Sequence, residues 1–311
     1  MIRDNYGRPV INFRVAVTSR CNLKCRYCHR EGEVSPASEM SLDEILKITS
    51  IALHLGISKV KLTGGEPLLR HDILEIVKGI ADFEQVRDLS MVTNGTLLAP
   101  LAEALMKEGL DRVNVNLPTL KPETYRWLTG GSLTDTIGGI EAAVKVGLHP
   151  VKLNLLVLKG VNEEEIPSMI KFAGRNRAIL QIIELEPVNI DHSFYSLYHQ
   201  ALDSIEEDLL KQAIRTRIRR TMQNRKVYSL LETDVEVIQP AENTEFCRHC
   251  TRIRASSDGK LKPCLMRNDN LFDIVAALRN GADDETLTEV FIEAIKRREP
   301  YFKECVELLT A

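Results

Sequence analysis

A chain of 311 residues, 44% hydrophobic and 27% charged, carries enough apolar side chains to bury a full core, as one large domain or two smaller ones. Its formal charge of −3 excludes a whole-molecule pull toward nucleic acid or anionic lipid. No apolar run approaches the roughly 18 residues needed to cross a bilayer, and Arg3, Asp4, Arg8 and Arg14 interrupt any signal-peptide core before Ser19. A cytoplasmic location is therefore expected, with neither membrane nor nucleic acid as partner.

The first two-thirds of the chain alternates short β-rich runs with helical patterns. FRVAVT (13–18) predicts a strand, followed at once by Cys21, Cys25 and Cys28. Ser41 and Glu44 form a capping box that opens a helix over 41–56, closed by Gly56. KVKLT (59–63) predicts the next strand, then TGGEP (63–67) and a helix over 71–81. Strands at 89–94, 112–117, 151–158 and 180–188 alternate with helices at 98–108, 134–146 and 163–173. Six strand-plus-helix units predict an α/β fold, a partial (β/α)6 barrel of TIM type, with a doubly wound sheet as the alternative. The barrel is favoured by where the unusual residues fall. The cysteine triplet, TGGEP, TNG (93–95), NLP (116–118) and EPVN (186–189) each sit at or just past a strand's C-terminal end, the face on which α/β-barrel sites collect.

Beyond about residue 190 the alternation breaks, which divides the chain into a core (1–190) and a C-terminal extension (191–311) packed on the barrel. The extension is expected to hold a basic helical stretch over 204–226 with Arg215, Arg217, Arg219, Arg220 and Arg225. A strand pair (227–239) and helices near 270–280 and 285–298 follow. Residues 211–226 read as a solvated helix face, with an anion or nucleic-acid patch as the other reading.

Seven cysteines in a reducing compartment point to metal or redox chemistry rather than disulfides. Cys305 stands alone in an amphipathic tail and reads as a small buried hydrophobe. Thiolates select zinc or iron–sulfur clusters. A cubane offers four iron corners, so the C-x3-C-x2-C run at 21–28, with Tyr27 before its last cysteine, would leave one iron open. A three-cysteine zinc site completed by His29 or a distant residue is the alternative. TGGEP sets Gly64 and Gly65 where a ligand can approach backbone, and offers the Glu66 carboxylate to an ammonium group. The second triplet, Cys247, Cys250 and Cys264, has Arg252 and Arg254 directly after its first pair. It suits a second open cluster beside a phosphate-bearing ligand, or a structural zinc or iron site with solvent-facing arginines.

The first triplet resembles the signature of the radical S-adenosylmethionine (SAM) superfamily. Together DNYGRPVINFRVAVTSRCNLKCRYC, KLTGGEPLLR, MVTNG, VKLNLLVLKGVN and CRHCTRIRASSDGKLKPCL resemble the GTP 3′,8-cyclases (the MoaA type), in their archaeal branch, from about residue 4 to residue 302. The resemblance implies a radical SAM lyase that opens molybdenum-cofactor biosynthesis, with two [4Fe–4S] clusters in one barrel mouth. Cys21, Cys25 and Cys28 would hold the cluster that cleaves SAM to a 5′-deoxyadenosyl radical, which takes the ribose 3′ hydrogen of GTP. Cys247, Cys250 and Cys264 would hold the cluster that binds guanine, and C3′ then attacks C8 to give 3′,8-cyclo-7,8-dihydro-GTP. Tyr27, Gly64, Gly65, Glu66 and Asn116 match SAM-binding positions. Arg14, Lys61, Val92, Lys152, Arg252, Ile253 and Arg254 match GTP-binding ones. Arg14, Lys61 and Lys152 would be costly to bury without an anion, and a triphosphate would supply it. Implied partners are GTP, SAM, a reductant and a downstream cyclic pyranopterin monophosphate synthase, and a homodimer is allowed. Lys61 and Gln181 stand where bacterial relatives carry arginine, Asn116-Leu117-Pro118 where many carry Ser-Leu-Asp, and VELLTA where they carry a Gly-Gly tail. Rival readings are another twin-cluster radical SAM enzyme, such as a peptide maturase, and a zinc-dependent RNA-binding module.

Overall fold

Apolar residues spaced at two along each strand set the architecture of the computed structural model, which describes residues 1–33 and 38–301. Cys305 and the VELLTA tail lie outside the described residues. β1 (Asn12–Thr18) leads through the cysteine loop to α1 (Leu42–His54), whose N-terminus carries the expected capping box between Ser41 and Glu44. β2 (Lys59–Gly64), α2 (Ile73–Ala81), β3 (Asp88–Thr93), α3 (Ala102–Lys107) and β4 (Arg112–Asn116) follow. Two helices, α4 (Pro122–Thr129) and α5 (Leu133–Val146), make the crossover to β5 (Lys152–Leu156), and α6 (Ile166–Arg175) leads to β6 (Ile179–Ile183). These six strands pair in chain order and in parallel, as a partial barrel requires. Their side chains alternate strictly. Phe13, Val15, Leu62, Met91, Val113, Leu153 and Leu180 enter one apolar core. Arg14, Lys61, Val92, Asn114, Lys152 and Gln181 face the opposite way, into a cavity.

The extension does more than pack on this sheet; it lengthens it at both margins. It runs α7 (His192–Tyr198), α8 (Asp203–Gln212), β7 (Arg215–Arg219), β8 (Arg225–Ser229), β9 (Asp234–Ile238) and α9 (Thr244–Arg248). β10 (Arg252–Ala255), β11 (Lys260–Lys262), β12 (Phe272–Asp273), α10 (Ile274–Arg279) and α11 (Asp284–Lys296) complete it. β9 joins β6 in parallel and β10 joins β1 in parallel, giving the order β12-β11-β10-β1-β2-β3-β4-β5-β6-β9-β8-β7. No helix among the described residues is long and apolar enough to cross a membrane.

Two local expectations are corrected. The basic helix expected over 204–226 ends at Gln212, and an antiparallel hairpin of β7 and β8 takes its place. Arg215, Arg217 and Arg219 recur with period two, and Thr216, Ile218 and Val227 are β-branched, so strand pairing outweighs the helix-forming character of arginine. α4 was unexpected, although Pro122 in its first turn and Gly130 at its end (φ 76°) are ordinary helix punctuation. The strand expected to run to residue 188 stops at Ile183.

Candidate active site

Two neighbouring segments hold the first cysteine loop by its backbone. On one side the Gly65 N–H donates to the Thr18 carbonyl (2.8 Å) and the Glu66 N–H to that of Arg20 (2.7 Å). A Cβ on Gly64 would lie 2.2 Å from the Thr18 oxygen, and one on Gly65 2.1 Å from that of Arg20. The glycine pair is thus required by contact between two backbones, and it still lines the cavity. On the other side the Lys24 and Arg26 N–H groups donate to the Thr129 and Leu128 carbonyls at the end of α4, both at 2.9 Å. The Arg26 guanidinium lies over the Trp127 ring, 4.9 Å from its centre. Glu66 is fully buried. Its carboxylate accepts from the Thr93 hydroxyl (2.7 Å) and from the N–H groups of Leu68 (3.1 Å) and Asn94 (2.7 Å), locking the loops after β2 and β3 together. Burial pushes the thiols of Cys21, Cys25 and Cys28 up, Cys25 to about 12. Glu66 and Cys28 add to the rise at Cys21, and Cys28 and Cys21 to that at Cys25.

The second triplet is held by charge. Cys247 lies in α9, which Asn243 caps by accepting from the Phe246 N–H (2.9 Å); Cys250 lies just past that helix and Cys264 just past β11. Arg8 donates to the Cys247 carbonyl (2.8 Å) and Arg298 to that of Cys250 (2.5 Å). Both guanidiniums pair with the buried Asp4 carboxylate, at 2.8 and 3.2 Å. Burial opposes ionisation of Cys250, but Arg298, Arg252 and Arg254 outweigh it and bring this thiol down to about 7. Burial raises Cys264. His29, offered as a zinc ligand, accepts from the Glu31 N–H through Nδ1 (3.0 Å). Among the described residues, no three His, Cys, Asp or Glu side chains are arranged around a single metal-ion position.

A cavity of about 1780 Å³, including its open mouth, is shared by the two regions. Cys21, Cys25, Tyr27, Cys28, Gly64, Gly65 and Asn116 line it, and so do Arg14, Lys61, Val92, Lys152, Arg252 and Arg254. Five candidate positions stand behind the wall: Glu66, Ile253, Cys247, Cys250 and Cys264. Glu66 is spent on the loops just described, and the Ile253 side chain belongs to the apolar core. The second triplet meets the cavity through its neighbours Phe246, Arg252 and Leu265.

Among the described residues lining the cavity, ten arginines and lysines face four aspartates and glutamates. Some cations are paired: Arg112 with Asp88 (2.8 Å), Lys152 and Arg219 with Glu236 (2.5 and 2.6 Å). Arg14 and Arg254 approach Glu31 at 3.7 Å each. Others meet only neutral acceptors: Lys61 donates to the Asn114 amide (2.8 Å) and Arg225 to that of Gln223 (2.8 Å); the buried Nε atoms of Arg225 and Arg254 make no hydrogen bond. Burial, with repulsion from Arg112, Arg14 and Lys152, pushes Lys61 well below the usual lysine range. Burial, with repulsion from Arg225, Arg14 and Arg254, does the same to Arg252. A buried surplus of this kind is stabilised by an anionic ligand. Sequence reasoning missed Arg112 and Glu31, and it placed Arg219 and Arg225 in a basic stretch read first as a solvated helix face and only second as an anion patch. Arg112 shares the inward parity of Asn114 and was legible in principle. Gln181, one of the departures from the bacterial pattern, lies in the same wall, accepting from Asn114 (2.7 Å) and donating to Glu236 (2.5 Å).

The profile of the Radical SAM superfamily matches residues 15–173, and that of Molybdenum Cofactor Synthesis C matches residues 178–304. The chain is 48% identical, over 97% of its length, to "Probable GTP 3′,8-cyclase" of Methanothermobacter marburgensis, of which it covers 99%. It is 50% identical over 97% of its length to the protein of the same name from Thermococcus kodakarensis, all of which it covers (100%). The chain belongs to the GTP 3′,8-cyclase family of radical SAM enzymes. Its fold is shared by Streptococcus suis SuiB bound to the precursor peptide SuiA, with a TM-score of 0.65 over 94% of this chain and 66% of that one; at 16% identity this is a likeness of fold alone.

Members of the GTP 3′,8-cyclase family, as radical SAM enzymes, use SAM and iron–sulfur chemistry. The donor set here fits: three soft thiols on one loop pinned by its backbone against Gly64 and Gly65.

Proposed function

We propose that this chain cyclises GTP to 3′,8-cyclo-7,8-dihydro-GTP, the opening step of molybdenum-cofactor biosynthesis, with one [4Fe–4S] cluster at each cysteine triplet. The observation that supports this most directly is the surplus of buried cations in a cavity that both triplets adjoin. In this reading the core, to about residue 190, carries Cys21, Cys25 and Cys28 for the SAM-binding cluster. The extension carries Cys247, Cys250 and Cys264 for the cluster at the guanine. When bound, a cubane and SAM supply one-electron cleavage chemistry able to remove an unactivated ribose hydrogen.

The chain's own residues bind and orient. Tyr27, Asn116, Gly64 and Gly65 surround SAM, and Glu66 fixes those loops from behind. Arg14, Lys61, Lys152, Arg252 and Arg254 neutralise the triphosphate, Val92 offers it an apolar wall, and Ile253 contributes through its backbone alone. An external reductant supplies the electron, and a cyclic pyranopterin monophosphate synthase consumes the product. The test is an anaerobic assay of the reconstituted protein with SAM, a reductant and GTP. Formation of 5′-deoxyadenosine together with cyclised GTP is expected. Reductive SAM cleavage with no cyclised nucleotide would overturn GTP as the substrate.

A further inference from the structure

Asp4 and Glu31 each stand between two arginines, and the two bridges differ. Asp4, its carboxylate fully buried, is closed on Arg8 and Arg298 at 2.8 and 3.2 Å. Glu31 lies 3.7 Å from both Arg14 and Arg254, beyond hydrogen-bond reach. Among the described residues, no N–H or O–H donates to its carboxylate. Glu31 and both of its arginines line the cavity, whereas Asp4, Arg8 and Arg298 do not. The chemistry of the two bridges is the same, and the one that faces the cavity is open.

Arg14 on β1 and Arg254 on β10 are register partners on adjacent strands, so two like charges stand side by side. The Nε of Arg254 is buried and makes no hydrogen bond. Burial opposes ionisation of Glu31, but Arg14, His29, Arg254 and Arg252 outweigh it and keep the carboxylate charged. The backbone reaches this place by an unusual turn. Arg30, Glu31 and Gly32 have φ of 49°, 50° and 70°, a conformation that only glycine adopts freely. Neighbours hold the turn from outside. Asn189 donates to the carbonyls of His29 (3.1 Å) and Glu33 (2.9 Å), and Lys262 to that of Gly32 (3.2 Å). A Cβ on Gly32 would lie 2.6 Å from the Leu265 oxygen, just past Cys264. Every one of these contacts fixes backbone, and none fixes the Glu31 carboxylate. Strained turns held in this way cluster at functional positions.

We propose that Glu31 is an internal counter-ion of the Arg14–Arg254 pair, displaced from it when the nucleotide's phosphates bind. This rests on GTP being the substrate. Phosphate oxygens can accept the guanidinium hydrogen bonds that Glu31 leaves unmade. They carry more negative charge than one carboxylate, and Glu31 has no hydrogen bond to break, so Glu31 is the group that yields. Until the phosphates arrive, it keeps two buried guanidiniums from facing each other without an anion.

The test is anaerobic calorimetric titration of the reconstituted wild type, Glu31→Gln and Glu31→Asn with GTP and with inorganic triphosphate. Each variant removes the competing charge and is expected to bind GTP about 5- to 50-fold more tightly than the wild type. A gain in affinity is a result that damage to the fold would not give. Asparagine tolerates left-handed backbone, so Glu31→Asn decides the matter should Glu31→Gln fail to fold. Equal or weaker GTP binding in the variants would overturn the counter-ion and leave GTP as the substrate. Variants that gain affinity for inorganic triphosphate, while no protein binds GTP, would keep the counter-ion and overturn the substrate. Binding of neither probe by any of the three proteins would overturn both.

Discussion

The two cysteine triplets offer the same three thiols in opposite settings. Around Cys21, Cys25 and Cys28 the support is neutral: carbonyls at the end of α4, peptide groups of the TGGEP loop, and burial that holds every thiol up. Around Cys247 and Cys250 the support is ionic, with Arg8 and Arg298 gripping the cysteine carbonyls and sharing Asp4. Arg252 and Arg254 complete the difference by drawing Cys250 down to about 7. A neutral surround suits a site whose own charge is to change by an electron. A cationic surround suits one that receives a polyanion, because the positive charge is in place before the ligand arrives. The segment His29–Glu33 joins the two regions. It directly follows Cys28, and Ser257 donates to Glu33 through its N–H (2.9 Å) and its hydroxyl (2.7 Å).

This contrast can be broken at four points. Replacing Cys25→Ala should lower reductive SAM cleavage by at least about 1,000-fold and halve the iron content from about eight to about four per chain, the second cluster's signal remaining. Retention of all the iron would show that the triplets are not independent. Asp4→Asn leaves Arg8 and Arg298 buried without their anion and should cost about 3–5 kcal/mol in urea unfolding of the metal-free protein. A cost below about 1 kcal/mol would mean that the ionic clamp does not hold the second triplet. Arg252→Ala and Arg254→Ala should each cut GTP turnover by at least about 100-fold while SAM cleavage stays within about threefold, so product and 5′-deoxyadenosine are to be quantified in the same samples. The smallest effect is spectroscopic. In the metal-free protein Cys250 is a thiolate above a pH of about 7 and a neutral thiol below it, whereas Cys25 stays neutral up to about 12. Ultraviolet titration should show a first thiolate step near neutrality that disappears in Cys250→Ser; persistence of that step would assign it to another thiol.

Much of this was legible in the sequence because it is local. The strand assignments put Arg14, Lys61 and Lys152, which the family resemblance singled out, near the barrel rim, and the short spacing within each triplet announced metal chemistry. What escaped notice depends on distant partners. The arginines at 215, 217 and 219 became strand residues only because β8 and β9 pair beside them. Glu66 has the chemistry of a ligand, yet the N–H groups of Leu68 and Asn94 claim it. Ile253 neighbours two cavity arginines, but strand parity sends its side chain into the core. Nothing near Asp4 in the sequence suggests that it meets Arg298.

That last contact bears on how the protein is made. The backbone supports of the first triplet, from Glu66 and Asn94 to the end of α4, are all synthesised before half the chain is made. The second triplet waits for Arg298, which arrives 290 residues after Arg8 to close on the same aspartate. Because chains fold from the N-terminus as they emerge, the first thiol loop takes shape during translation, and the second is finished only when nearly all of the protein is out.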